Sequence, residues 1–147
     1  MCGIAGVIEL GAPTVDQVLL SQITASLRHR GPDAKGQYSD RRDDLSLTLI
    51  HTRLSIIDVS KGHQPLCNED ESVWVVFNGE IYNFQELRKE LEEKGHRFKT
   101  HSDTEVLAHG YEEYGEALPA RLQGMFAFAV WDKNRQRLFL ARDRMGK

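Results

Sequence analysis

Antiparallel strands interleaved with amphipathic helices, an α+β arrangement, are expected of this chain on three observations. Two pairs of apolar, strand-like runs are separated by short polar turns, the pattern of β-hairpins. Three stretches begin with Thr, Asn or Ser followed three residues later by Gln or Glu, then repeat apolar residues at helical spacing. With 147 residues, 40% hydrophobic and 28% charged, the chain suits one soluble globular domain that buries roughly 70% of its unfolded surface.

Residues 2–10 are apolar and rich in β-branched side chains, which predicts a strand buried on both faces and broken by Gly11 and Pro13. Thr14 and Gln17 open a helix over 15–29, where Val15, Leu19, Ile23 and Leu27 recur every four residues. Arg28, His29 and Arg30 suit the negative end of its dipole, and Gly31-Pro32 stops it. Residues 36–39 and 45–50 form a hairpin across 40–44, with Leu45, Leu47 and Leu49 on one face. Residues 51–58 continue it and set Arg53 beside Leu54, Ile56 and Ile57, where a buried guanidinium needs a partner. A polar loop over 60–70 carries Pro65 and Cys67, the latter read as structural.

The most strand-like run, 73–77, ends at Asn78-Gly79. Asn-Gly is the usual signal of a two-residue hairpin turn. Only Glu80-Ile81-Tyr82 follows, however, before Asn83 and Glu86 make another capping pair. The alternative is that glycine here lets a ligand approach the backbone, with its N–H in open space and the Asn78 amide beside it, two candidate donors to an oxyanion.

A helix over 84–94 should bury Phe84, Leu87 and Leu91, expose a Glu90–Lys94 pair and end at Gly95, with a short strand at 96–98. Ser102 and Glu105 open the next helix, which carries Val106, Leu107, Tyr111 and Tyr114 and stops at Gly115. Because Ser102 can cap that helix, the first-turn carboxylate of Asp103 is left for a ligand's cation. A short helix over 118–122 leads through Gly124 to a hairpin of 125–131 and 136–142 about the turn 132–135. The sequence then runs to Lys147 without a closing element and reads as cut short.

Composition narrows the function classes. A net charge of −3 with both signs well mixed gives no footprint for nucleic acid. No apolar run nears the roughly 20 residues that span a bilayer, and no signal peptide is present, so a cytoplasmic protein without membrane contact is expected. Cys2 and Cys67 are the only cysteines and the six histidines have no ligand spacing, so neither a disulfide nor a metal is expected. The chemistry gathers at Met1-Cys2-Gly3. A small second residue favours removal of Met1, which would give Cys2 both a thiol with a pKa of about 8.5 and an α-amine near 7.7–8.0 to activate it. The plain alternative is a small buried residue beside the start.

Together the segments MCGIAG, LRHRGPD, HTRLSIID, FNGEIYNFQEL, HSDTEV, LQGMFAFAVWD and ARDRMG, in that order, resemble the N-terminal glutaminase domain of glutamine-hydrolysing asparagine synthetases. These are class II amidotransferases with an N-terminal-nucleophile fold. The resemblance spans the chain and implies a four-layer α/β/β/α sandwich of two antiparallel sheets, incomplete at the C-terminus. It implies hydrolysis of L-glutamine to glutamate and ammonia, with Cys2 as nucleophile and Asn78 and the Gly79 N–H as oxyanion hole. Arg53 corresponds to the residue on the substrate α-carboxylate and Asp103 with Glu80 to those about its α-ammonium. The backbone of Leu54, Ser55, Ile56 and Ile57 lines the pocket, and the segment His29 to Asp33 supports it. No cofactor is implied for this half. ATP and magnesium belong to an absent synthetase domain, expected in cis in the full-length protein, and a homodimer is allowed. The rival readings are a Cys–His thiol hydrolase using Cys2 or Cys67, a non-catalytic glutamine-binding module, and an inactive fragment.

Overall fold

The computed structural model describes residues 2–11, 14–54 and 63–146. Strand β1 (Gly3–Leu10) and helix α1 (Gln17–Leu27) are followed by the hairpin β2 (Ala34–Arg42) and β3 (Leu45–Arg53). A two-residue strand β4 (Leu66–Cys67) precedes β5 (Val73–Ile81), then come helices α2 (Phe84–Glu93) and α3 (Glu105–Tyr114). A 3-10 turn (Gly115–Arg121) leads into the hairpin β6 (Gly124–Asp132) and β7 (Arg137–Arg142). All pairings are antiparallel, in two sheets ordered β1-β3-β2 and β4-β5-β6-β7.

Three apolar clusters mark three interfaces and therefore four layers. Leu20 and Ile23 of α1 pack with Ile50, Ala5 and Val7 on the outer face of the first sheet. Leu47, Leu49 and Ile4 meet Val76, Ala129 and Trp131 between the sheets. Val75, Phe77, Phe126, Phe128 and Val130 meet Leu87, Leu91, Val106, Leu107 and Tyr111 under α2 and α3. The expected α/β/β/α sandwich is observed. Trp131 also donates from Nε1 to Asp40 Oδ2 at 2.8 Å, tying the sheets together at their far hairpins.

Several local expectations are corrected. Among the described residues β1 is an edge strand, not one buried on both faces: Ile8 is 43% and Leu10 79% exposed, and the strand buried from Ser46 to Arg53 is the central β3. Helix α1 is shorter than 15–29 and is capped by Asp16, whose carboxylate accepts from the Val18 N–H, rather than by Thr14. Asn83 makes no cap bond for α2; its amide instead binds the Arg121 carbonyl and the Gln123 N–H. Glu90 pairs with Arg121 and Lys94 with Glu113, so the local Glu90–Lys94 pair gives way to longer-range partners. Residues 96–98 form no strand. At α3 half of the expected box is present: Ser102 Oγ accepts from the Thr104 N–H at 3.2 Å, while the Glu105 carboxylate reaches back to the N–H groups of Lys99 and Thr100 rather than to Ser102.

Candidate active site

Side chains alternate across a strand, and this places the site. Leu47 and Leu49 on β3 face the second sheet, so His51 and Arg53 continue that face to the strand end. On β5, Trp74 and Val76 face the first sheet, and Asn78 and Glu80 continue theirs. Cys2 follows the parity of Ile4. Where the apolar packing between the sheets stops, five polar side chains share the same interlayer face. The buried His51 ring faces the Phe77 backbone across the two strand ends, and its Nε2 has no hydrogen-bond partner among the described residues.

Cys2 is held from two sides. Its Sγ accepts from the Leu54 N–H at 3.4 Å and lies 3.8 Å from the Leu54 carbonyl. Its own carbonyl accepts from Arg30 Nε at 3.1 Å. Arg30 reaches it because the segment after α1 is seated on the end of β3: the Asp33 N–H donates to the Arg53 carbonyl at 3.0 Å, and Thr52 Oγ1 donates to the Leu27 carbonyl at 3.2 Å. Gly31 allows this contact, since a Cβ there would stand 2.3 Å from the Thr52 carbonyl oxygen. Arg53 is buried, as its apolar neighbours suggested. Ser55, Ile56 and Ile57 lie outside the described residues.

The second half of the site is the free edge of β5. Strand β4 pairs only with Val75 and Trp74, so beyond them this edge has no strand partner among the described residues. Phe77 donates from it to Gln64 Oε1 at 2.6 Å, and Ile81 donates to Asp103 Oδ2 at 3.0 Å. Gly79 lies midway and shares their parity. Its partner Phe126 directs its own N–H and carbonyl to Asp143 on the β7 side. The Gly79 N–H therefore points off the open edge. Gly79 has φ of +150°, and a Cβ would fall 2.0 Å from the Met125 carbonyl, so glycine is required here. The hairpin-turn reading of Asn78-Gly79 is excluded, because β5 runs through both to Ile81. Asn78 Oδ1 is buried without a hydrogen-bond partner among the described residues, the kind of orphaned polar atom that marks a functional position.

Asp103 differs from expectation: one carboxylate oxygen is already bound to the Ile81 N–H. Burial raises its carboxyl above the usual range, the Ile81 bond opposes that, and the nearby Glu80 charge adds to it. Two carboxylates close together with one of them half-buried favour a cation between them. Gln64, which sequence reasoning passed over, holds this half in place. Its Oε1 accepts from Phe77, next to Asn78, and its Nε2 donates to Thr104 Oγ1, next to Asp103, at 3.1 Å. No local spacing announces that bridge, nor the contacts of His51 and Arg30. A cavity of about 720 Å³ between α1 and β2 has none of Cys2, Asn78, Gly79 or Asp103 in its lining.

His51 gives a pH prediction. Burial, with the Arg53 charge second, holds its ring down to about 4. A histidine that titrates near 6.5 when unfolded then contributes stability that is fully present above about pH 6.5 and is lost as pH falls toward 4, on the order of 3 kcal/mol in all. Urea midpoints at pH 7 and pH 4.5 should drop further for wild type than for His51→Gln. Equal drops would show that the ring is not held neutral.

A family model described as glutamine amidotransferase domain matches residues 1–147. The chain is 49% identical to glutamine-hydrolysing asparagine synthetase 1 of Bacillus subtilis, covering 99% of this chain and 23% of that one. It is 44% identical to glutamine-hydrolysing asparagine synthetase 1 of Arabidopsis thaliana, over 99% of this chain and 24% of that one. The chain thus spans about a quarter of the length of these relatives. In fold it is similar to glutamine phosphoribosylpyrophosphate amidotransferase of B. subtilis, with a TM-score of 0.71 and 23% identity over 97% of this chain and 38% of that one. Matched by sequence from end to end, the chain belongs to the glutamine amidotransferase domain family.

Proposed function

We propose that this chain hydrolyses L-glutamine to glutamate and ammonia through a thioester on Cys2. The observation that carries the reading is the Cys2 thiol, fixed by Leu54 and Arg30 at the head of β1, at the interlayer end that also bears Asn78 and the outward Gly79 N–H. With Met1 removed, the Cys2 α-amine takes the thiol proton, and the thiolate attacks the side-chain amide carbon. The oxyanion accepts from the Asn78 amide and the Gly79 N–H. The α-ammonium returns its proton as the C–N bond breaks and ammonia leaves. Water then adds to the thioester, the C–S bond breaks, and glutamate is released with the thiol restored.

Arg53 and Asp103 make the site a reader of amino acids rather than of amides in general. A guanidinium holds a carboxylate through two parallel bonds, and the half-buried Asp103 with Glu80 accepts from an ammonium. Glutamine α-amide and N-acetylglutamine should each lose about 2 to 5 kcal/mol in kcat/KM against glutamine, since each gives up a charge-assisted contact with the site. Asp103→Asn should shrink the penalty for the N-acetyl compound, and Arg53→Lys should be nearly as damaging as Arg53→Ala, because a point charge cannot reproduce the fork. Wild type that cleaves all three substrates within about tenfold, little over 1 kcal/mol, has no such clamp.

In a full-length protein the ammonia passes to an ATP- and magnesium-dependent asparagine synthetase domain in cis. This extension rests on the names of the relatives and on their greater length. A cytosolic setting suits a thiol nucleophile, and among the described residues no helix is long and apolar enough to cross a membrane.

A further inference from the structure

The chain also brings together four side chains from three separate segments: Glu69 before β5, His96 between α2 and α3, and His109 and Glu112 on α3. One ligand-type atom from each lies within 4.8 Å of the others. Glu112 Oε2 stands 3.3 Å from His109 Nδ1 and 3.6 Å from His96 Nδ1, and Glu69 Oε2 stands 3.5 Å from His109 Nδ1. These separations are long for charge-assisted hydrogen bonds, which favour about 2.7–2.9 Å. They match three of the six ligand–ligand edges, about 3.3–3.6 Å, of a tetrahedron with metal bonds of about 2.0–2.2 Å, and the other pairs lie within 4.8 Å.

The remaining polar atom of every one of these side chains faces a partner outside the group. Glu69 Oε1 accepts from the Arg97 N–H at 2.7 Å, and Glu112 Oε1 from Asn68 Nδ2 at 2.8 Å. His96 Nε2 meets Glu113 Oε1 at 3.1 Å. His109 Nε2, buried without a hydrogen bond, faces Glu105 Oε1 at 3.7 Å, and that carboxylate is fixed by Lys99 and Thr100. Both rings thus turn Nδ1 inward and Nε2 toward a carboxylate, the outer arrangement that orients metal-bound histidines. Glu69 and Glu112 are partly exposed while His109 is 1% exposed, so the group is open to solvent on one side.

We propose that Glu69, His96, His109 and Glu112 bind a divalent transition metal, zinc(II) before others, in a structural site. A donor set of two imidazole nitrogens and two carboxylate oxygens suits zinc, and four protein ligands suit a structural role. The ion staples the loops before β5 and α3 to α3 itself, the helix whose first turn adjoins Asp103 and its support Thr104. Without a metal, the same geometry is an imidazolium held among carboxylates, and the experiment separates the two.

The test uses the 147-residue chain bearing Cys2→Ala and Cys67→Ala, stripped with chelator, so that no thiol competes. Zinc(II) titrated against a chromophoric chelator should show one equivalent bound and a higher Tm. Cobalt(II) should give four-coordinate ligand-field bands without thiolate charge transfer. Glu113→Gln should weaken binding about ten- to a hundredfold, and His96→Gln and Glu112→Gln by at least as much. The metal-free Tm of each variant is the baseline for its own zinc-dependent rise, because Glu112→Gln also removes a carboxylate from beside the buried His109 ring. Absence of stoichiometric binding, or binding that survives His96→Gln combined with Glu112→Gln, overturns the proposal.

Discussion

Cys2→Ala should abolish glutamine hydrolysis, by several orders of magnitude in kcat, while Cys67→Ala leaves turnover largely intact. Loss of a covalent nucleophile removes nearly the whole chemical rate enhancement, because the other groups act through the bond it forms. Only Cys2 can couple a thiol to an α-amine, and only Cys2 is seated by the Leu54 N–H. Cys67 sits in β4 opposite Trp74, and burial pushes its thiol up, away from the thiolate. Glutamate release measured on both variants decides the matter. Equal losses would point to a Cys–His pair and away from the N-terminal nucleophile.

Asn78→Ala should lower kcat about a hundred- to a thousandfold with little change in KM, the usual cost of one oxyanion donor. The split between kcat and KM is informative because the amide serves the tetrahedral intermediate more than the bound substrate. Asn78→Asp keeps the shape and removes the donor, so it should lose at least as much; a purely structural asparagine would tolerate it better. A normal kcat in either variant would remove Asn78 from the chemistry and leave only an irregular strand end.

How much of this was legible depended on range. Alternation of Leu45, Leu47 and Leu49 correctly predicted the face that β3 turns to the second sheet, and the run 73–77 correctly predicted the core of β5. The apolar run 2–10 misled because hydrophobicity says that a strand can be buried, not whether another strand lies beyond it. Ile8 and Leu10 are left exposed at an edge. Capping pairs marked each helix, and Ser102 does accept from the first turn of α3, but Asn83 and Glu105 bond to neighbouring segments instead of completing their boxes. At the site, Cys2, Arg53, Asn78 and Asp103 drew notice as residue types out of keeping with their surroundings. Gln64, His51 and Arg30 gave no such sign, because each acts across dozens of residues. The same holds for Glu69, His96, His109 and Glu112, whose spacing in sequence fits no metal motif and whose meeting is made by the packing of α3 against the preceding loops.

The central claim is that the α-amine of Cys2 serves its own thiol. Two preparations of the same chain, one shown by mass spectrometry to begin at Cys2 and one shown to retain Met1, should be compared for ammonia and glutamate release from glutamine. The account predicts turnover in the first and near-complete loss in the second, because a peptide bond deprives the amine of its basicity. Equal rates in the two would contradict it, since the thiol would then be activated by some group other than its own N-terminus.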